Sequence, residues 1–380
     1  MGLPRVVAFT DTYLPTVNGV TYTVNTWRHH WEASGGQMDV VYPSSAYTPE
    51  TGEHAVGSLA LPFYDGFRVG TPQVPDGVRD ADIVHAHTPF SLGVAGRRLA
   101  RSLSVPLIAS YHTPTAEYAR YISELAPVER LVRETATSYE QWFLGRADAV
   151  ITPSAATASA LEHRINDDTP VHIVSNGVDT SVFRPVETDA FCDAYGLPDG
   201  VLVGYTGRHG HEKELGRLVE AVATLDDVTL VFGGDGPARE RLEGLADSHD
   251  VRARFLGFLQ REELPAFYSA LDVFGFPSPV ETEGLVALEA IACGTPVAGV
   301  DAGGLGERIE DGVTGYTAPP GDTTSFRTAL ERTIQNRDRL RESCLDRRKS
   351  MDVAQSLARL RTVYDDVRSR QPRERTNPSH

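Results

Sequence analysis

Two short stretches of this 380-residue sequence bring together side chains that could handle a charged ligand. In the first, the apolar run Val201–Tyr205 leads into Thr206-Gly207-Arg208-His209-Gly210-His211-Glu212-Lys213. A forked guanidinium and a mobile ammonium on one glycine-bearing loop suit a diphosphate; two solvated surface cations are the plainer alternative. The second stretch runs from Phe276-Pro277-Ser278-Pro279 through Glu281-Thr282-Glu283-Gly284 to Leu285-Val286 and Glu289. It reads as a strand end, a proline turn and a helix opening near Gly284. The first backbone N–H groups of that helix, at Gly284, Leu285 and Val286, would attract an anion, and the glycine lets a ligand approach the backbone closely. Glu289 is the only ionisable residue between Leu285 and Cys293, on a helix apolar nearly all round. Such a helix is buried, and its carboxylate needs hydrogen bonds. Paired ribose hydroxyls would supply them, and so would a nearby backbone turn. Glu281 could bond the hydroxyls of a sugar or stand as an exposed loop acid.

Loops of this kind need strands behind them. Short apolar runs alternate with helix-patterned segments throughout, the mark of parallel sheets with crossover helices. Expected strands in the first half are Val6–Thr10, Met38–Tyr42, Ile83–Ala86, Leu107–Tyr111, Ala149–Thr152 and His172–Val174. Those in the second half are Val201–Tyr205, Thr229–Gly233, Val251–Leu256, Val273–Phe276 and Val297–Val300. Pro185 and Pro198 punctuate Arg184–Gly200, so the domain connection is placed there. The expected organisation is a first α/β domain over 1–184 and a second over 185–351. A helix over 352–368 returns to the first domain, and 369–380 is a disordered tail. Ligands of open parallel sheets sit beyond the carboxyl ends of the strands, so two facing sheets predict a site in an interdomain cleft.

Composition narrows the field. Lys and Arg total 36 against 52 Asp and Glu, a net charge of −16, which argues against nucleic acid as a partner. The three cysteines form no Cys-x-x-Cys pair, so neither a disulfide scaffold nor structural zinc is expected and a reducing compartment fits. The apolar stretch Leu285–Val300 contains Glu289 and Pro296, and no window approaches a membrane span. A cytoplasmic protein is expected. Gly233-Gly234-Asp235-Gly236 lacks the third glycine of a dinucleotide fingerprint and reads as a strand-end turn. No phosphate loop and no Asp-x-Asp metal element stands out.

Taken together, these motifs resemble a retaining glycosyltransferase of family 4, with the α/β GT-B fold of two facing Rossmann-like domains. The resemblance spans Phe9 to about Tyr364. It rests on Pro15-Thr16-Val17-Asn18-Gly19-Val20, His85-Ala86-His87-Thr88-Pro89-Phe90, Tyr111-His112-Thr113 and Ser175-Asn176-Gly177-Val178-Asp179 in the first half. In the second it rests on Gly207-Arg208…Lys213, Gly233-Gly234-Asp235-Gly236-Pro237, Glu281…Glu289 and Gly303-Gly304-Leu305-Gly306-Glu307.

The resemblance implies a metal-independent hexosyltransferase with no cofactor, using a UDP- or GDP-linked sugar as co-substrate. Arg208 and Lys213 would hold the diphosphate, Glu289 the ribose and Glu281 the donor sugar. Gly284, Leu285 and Val286 would offer N–H groups, Gly19 would approach the diphosphate from the first domain, and His112 would contact the reacting sugar. Taken alone, His112 reads as a structural imidazole. Glu283 departs from the family pattern and is expected to face solvent or a cation.

Tyr111-His112-Thr113-Pro114…Glu117-Tyr118, together with the motif containing Thr282, resembles the branch that glycosylates lipids and lipid-linked glycans, which points to glycolipid, N-glycan or cell-surface glycan assembly. Arg97, Arg98 and Arg101, on one expected helix, could meet anionic head groups or an acceptor phosphate at the inner face of the membrane; a solvated helix face weighs equally. The rival readings are a soluble-acceptor sugar synthase and a non-catalytic nucleotide-sugar sensor. A dehydrogenase stands further off.

Overall fold

The computed structural model describes residues 2–60, 68–112, 126–165 and 168–370. The expectations for Thr113–Tyr118 and for the tail from Gln371 to His380 lie outside these residues. The chain divides into two compact units, Met1–Ser175 with Ala354–His380, and Asn176–Val353.

In the first unit the strands are β1 (Arg5–Phe9), β2 (Gln37–Pro43), β3 (Glu53–Val56), a separate antiparallel ribbon of β4 (Ser58–Ala60) and β5 (Arg68–Gly70), then β6 (Ile83–Ala86), β7 (Leu107–Ser110), β8 (Ala149–Thr152) and β9 (Val171–Ile173). Its main sheet is parallel, in the order β3-β2-β1-β6-β7-β8-β9. The second unit contains β10 (Val201–Thr206), β11 (Val228–Gly233), β12 (Ala253–Gly257), β13 (Val273–Phe276), β14 (Val297–Val300) and β15 (Gly315–Ala318), in the order β12-β11-β10-β13-β14-β15. With the ribbon set aside, the winding is the same in both. The chain steps outward on one side of its first strand, then returns to the other side and continues. The reversal falls between β1 and β6 in one unit and between β10 and β13 in the other, where doubly wound sheets bind ligands.

The central strands are buried on both faces, which is why they read as near-continuous apolar runs, broken at His85 in β6 and Thr229 in β11. On β1, Val7 and Phe9 join a cluster with Val84, Leu92 and Phe143, while Ala8 joins one with Val24, Val40 and Tyr42. That is the two-residue alternation of a strand covered on both sides. The second unit has one large cluster, in which Tyr205, Phe232, Phe274 and Phe276 pack with Leu218, Phe267 and Tyr268.

The helix Val353–Ser369 buries Val353, Ser356, Leu357, Leu360, Val363, Tyr364 and Val367, the stripe of an amphipathic helix. It closes the first unit: the Tyr364 hydroxyl hydrogen-bonds His85 Nδ1 at 2.8 Å and its ring meets Trp31 edge-on. The chain passes between the units at Ser175/Asn176, upstream of the expected 184/185. Arg184–Gly200 instead holds a short helix, Asp189–Tyr195, whose Phe191 belongs to the second unit's core.

Candidate active site

At the second sheet's reversal, β10 leads into Gly207–Lys213 and β13 leads into Pro277–Gly284, so the two chemically suggestive stretches come from adjacent strands. They meet directly. The Lys213 ammonium donates to Glu281 Oε1 at 2.5 Å, and the same oxygen accepts from the Ser278 hydroxyl at 2.7 Å. The Lys213 and Glu281 side chains keep only 20% and 14% of their exposure. Burial alone would drive the ammonium to lose its proton, but the Glu281 carboxylate more than offsets it and holds the Lys213 pKa above its ordinary value. Arg208 is half-buried on the same loop, and its carbonyl accepts a long bond of 3.4 Å from the Tyr205 hydroxyl.

Backbone-to-backbone contact sets the shape of both loops. Gly234, in a left-handed conformation, leaves no room for a Cβ against the Gly207 carbonyl, and a Cβ on Gly236 would come within 2.7 Å of the His209 carbonyl. His209 N–H donates to Asp235 O at 2.8 Å, and its Nε2 lies 3.2 Å from Gly233 O. The Gly233–Gly236 turn is therefore a brace for the Arg208 loop. Gly303 and Gly304 brace the other loop: Gly304 N–H donates to Glu281 O at 2.7 Å, and a Cβ on Gly303 would stand 2.5 Å from that oxygen.

Gly284, with φ 83°, caps the helix Leu285–Ala292. The N–H groups of Leu285 and Val286 are among the four that a helix start leaves without intrahelical partners. Glu289 lies buried one turn further on, where the Tyr268 hydroxyl donates to its Oε2 at 2.7 Å. Burial raises the Glu289 pKa, while Arg261 and Tyr268 act to lower it. The tyrosine partner comes from a different helix, Leu264–Ala270, and no local pattern announces it. Glu283 is buried rather than solvent-facing: its carboxylate sits 3.3 Å from Arg308 and accepts the Asn176 N–H at 3.0 Å. Of the two expected surroundings, the cation is the one found.

Gly19, in the first unit, opens the helix Gly19–Ala33, whose cap Asn18 accepts from Thr21 N–H at 2.9 Å. Asp11, just beyond β1, fixes the loop after β6. Its buried carboxylate accepts from Thr88 Oγ1, Ser91 Oγ and Leu92 N–H at 2.6, 2.8 and 3.1 Å, a favourable place for negative charge at a helix start. His112 follows β7, with Nε2 3.0 Å from His87 Nδ1 and the two rings stacked at 5.3 Å. His85 also stacks on His87, at 4.1 Å, and Trp27 lies near all three imidazoles. Burial pushes His85 down to about 3 and His112 to about 4, and holds His87 well below its ordinary value. All three are neutral at pH 7. The role of His87 as partner to His112 was not read from the sequence, although the alternation His85-Ala86-His87 at a strand end was its visible trace.

Arg97, Arg98 and Arg101 lie on the helix Ser91–Leu103, which carries no acidic residue. Arg98 and Arg101 are exposed. Arg97 lies 5.4 Å and Arg146 4.9 Å from the centre of the half-exposed Trp142 ring. No helix among the described residues is long and apolar enough to cross a membrane.

Residues 17–182 match the model of Glycosyltransferase Family 4, and residues 193–351 that of Glycosyl transferases group 1. The chain is 32% identical over 347 residues to a GDP-mannose-dependent alpha-mannosyltransferase of Corynebacterium glutamicum, covering 86% of this chain and 78% of the relative. It is 28% identical to an alpha-monoglucosyldiacylglycerol synthase of Streptococcus pneumoniae, covering 77% and 70% respectively. The sucrose-phosphate synthase of Thermosynechococcus elongatus superposes with a TM-score of 0.78 at 23% identity, covering 96% of this chain and 99% of that one. With two doubly wound sheets of like winding and this match along both halves, the chain belongs to glycosyltransferase family 4 and has the GT-B fold.

Proposed function

We propose that this glycosyltransferase moves a hexose, with retention of anomeric configuration, from a UDP- or GDP-linked donor to a lipid or lipid-linked saccharide. The observation that carries the reading is the half-buried Lys213–Glu281 pair on the loop of Arg208 and the turn leading to Gly284, at the reversal of the second sheet. In this reading Arg208 and Lys213 neutralise the charge that develops on the departing diphosphate. The N–H groups of Gly284, Leu285 and Val286 hold phosphate or sugar, Glu281 the sugar hydroxyls and Glu289 the ribose. Gly19 approaches the diphosphate, and His112, oriented by His87, contacts the reacting sugar. The acceptor hydroxyl oxygen bonds to the anomeric carbon as the bond to phosphate breaks, from the face the nucleotide leaves. The departing phosphate oxygen takes the hydroxyl proton, and no residue of the chain is assigned as nucleophile.

The names of the mannosyltransferase and diacylglycerol-synthase relatives support the donor and acceptor classes. The acid-free arginine helix and Trp142 support a peripheral contact with anionic head groups, which co-sedimentation with anionic but not neutral vesicles would test. The reading as a whole is tested with a panel of nucleotide sugars by thermal shift, since a ligand bound only by the folded state raises its stability. The donor that binds is then offered to a lipid extract in the presence of EDTA. Sugar transfer to lipid that is lost in Lys213→Met and Arg208→Ala is expected. Stabilisation by no donor overturns the reading, transfer to water-soluble sugars alone overturns the lipid acceptor, and loss of transfer in EDTA overturns metal independence.

A further inference from the structure

Glu283 has a position that donor binding alone does not explain. It lies in sequence between Glu281 and the helix cap Gly284, yet it is 1% exposed and its carboxylate is engaged by residues far along the chain. Oε2 accepts the backbone N–H of Asn176 at 3.0 Å, and Oε1 lies 3.3 Å from Arg308 Nη2. Asn176 is the first residue of the second unit. Two residues on, Val178 N–H donates to Met351 O and Val353 N–H donates to Val178 O, each at 2.9 Å, and Val178 pairs with Asp352 as a parallel bridge. The Asp352 carboxylate also accepts from the Thr180 hydroxyl. Val353 is the last residue of the second unit. The two points at which the chain passes between the units are thus tied to each other, and Glu283 ties them to the turn that carries Glu281.

A carboxylate is a demanding choice for a buried turn, because it needs both hydrogen bonds and a counter-charge. Arg308 supplies the charge from just beyond the short helix Gly303–Gly306, and that helix braces the Glu281–Thr282 backbone. Charge-assisted bonds are shorter and stronger than neutral ones. The linkage therefore runs from the Glu281 turn, through one side chain, to the backbone amide at the first crossing.

Resting on the donor role assigned above to the 281–286 segment, we propose that Glu283 is a positioning residue that couples occupancy of this segment to the chain crossing at Asn176. A nucleotide that orders the turn also orders Asn176, and releasing the turn loosens the crossing.

Hydrogen–deuterium exchange of the peptide covering residues 174–179, with GDP and UDP as probes, tests this on the intact chain. At ten times the dissociation constant, a nucleotide that binds only the ordered form slows exchange by about tenfold. That slowing is expected in the wild type. In Glu283→Gln and Arg308→Gln the nucleotide still binds, as read by thermal shift, but the slowing is lost; kcat falls more than the donor KM rises. Unchanged exchange at 174–179 in wild-type protein that binds the nucleotide overturns the coupling and needs no variant to fold. So does retention of both the slowing and kcat in Glu283→Gln. Either result leaves the transferase reading standing, whereas failure of the wild type to bind any nucleotide or sugar donor removes that reading itself.

Discussion

Replacing Gly304 with alanine is the sharpest test of how the Glu281 turn is held. The new Cβ would lie 2.8 Å from the Glu283 Cα and would overlap the Thr282 carbonyl oxygen more severely still. Both neighbours are backbone atoms, so no side chain can swing aside. Restoring ordinary van der Waals spacing requires the turn and the glycine helix to separate by about 1.5 Å, and misplacement of even about 1 Å costs about 100-fold in rate when it displaces groups that orient a substrate. The Gly304→Ala enzyme should lose about two orders of magnitude in kcat/KM for the donor, or about 2.7 kcal/mol of transition-state stabilisation. It should be less stable by about 1–3 kcal/mol, the usual cost of overpacking, and still fold. Steady-state transfer kinetics measure the first effect and urea unfolding by circular dichroism the second. A variant that folds and keeps kcat/KM within about threefold of wild type would refute the claim that backbone contact from Gly304 sets the position of Glu281.

Gly244 provides the matching control. It is exposed within the helix Arg239–Ser248, and a Cβ added there would meet nothing within 4 Å, so Gly244→Ala should stabilise by about 0.5–1 kcal/mol and leave transfer unchanged. The stacked histidines make the first unit sensitive to acid. Their folded pKa values lie below the unfolded value of 6.5, so as pH falls from 6.5 toward 4 the unfolded chain takes up protons that the fold refuses, and stability is lost. Each buried imidazole contributes about 1.4 kcal/mol per pH unit in that window; urea midpoints that do not change between pH 7 and pH 5 would contradict the neutral stack. Tyr364→Phe leaves His85 Nδ1 without its hydroxyl partner and should cost about 1–3 kcal/mol, read as a lower unfolding midpoint for the first unit. An unchanged midpoint would mean that this bond does not help hold the last helix.

The loops that carry the chemistry were legible because the strands before them are buried on both faces. Val201–Tyr205, Ile83–Ala86 and Val273–Phe276 stand out as apolar runs bounded by glycine, proline or polar residues, and the family motifs begin where those runs stop. Elements with mixed sequence were not legible. β3 includes Glu53, whose buried carboxylate is satisfied by Arg28 at 2.6 Å, Tyr13 at 2.8 Å and the Glu50 N–H at 2.8 Å. β15 opens with Gly315, which presses so closely on the Val297 backbone that no Cβ fits. The helix Arg337–Met351 buries only Leu340 and Cys344, too narrow a stripe to register against its many charges. The partners of Glu289 and Glu283 come from distant stretches of chain, so sequence spacing could not find Tyr268 or Asn176. Arg184–Gly200 looked like a linker because of its prolines, yet Phe191 anchors it in the second core, with Tyr195 and Leu197 packed against it.

The helix that completes the first unit follows the second unit in sequence, so the order of synthesis is not the order of completion. A ribosome emits β1 to β9 first, but His85 and Trp31 must wait for Tyr364. Asn176–Val353 contains all six strands of its own sheet and can finish while the earlier-made part is still open along one side. During translation the apolar surface that this helix covers therefore stays open after β9 is made, until the whole of the second unit and then residues 353–369 have followed.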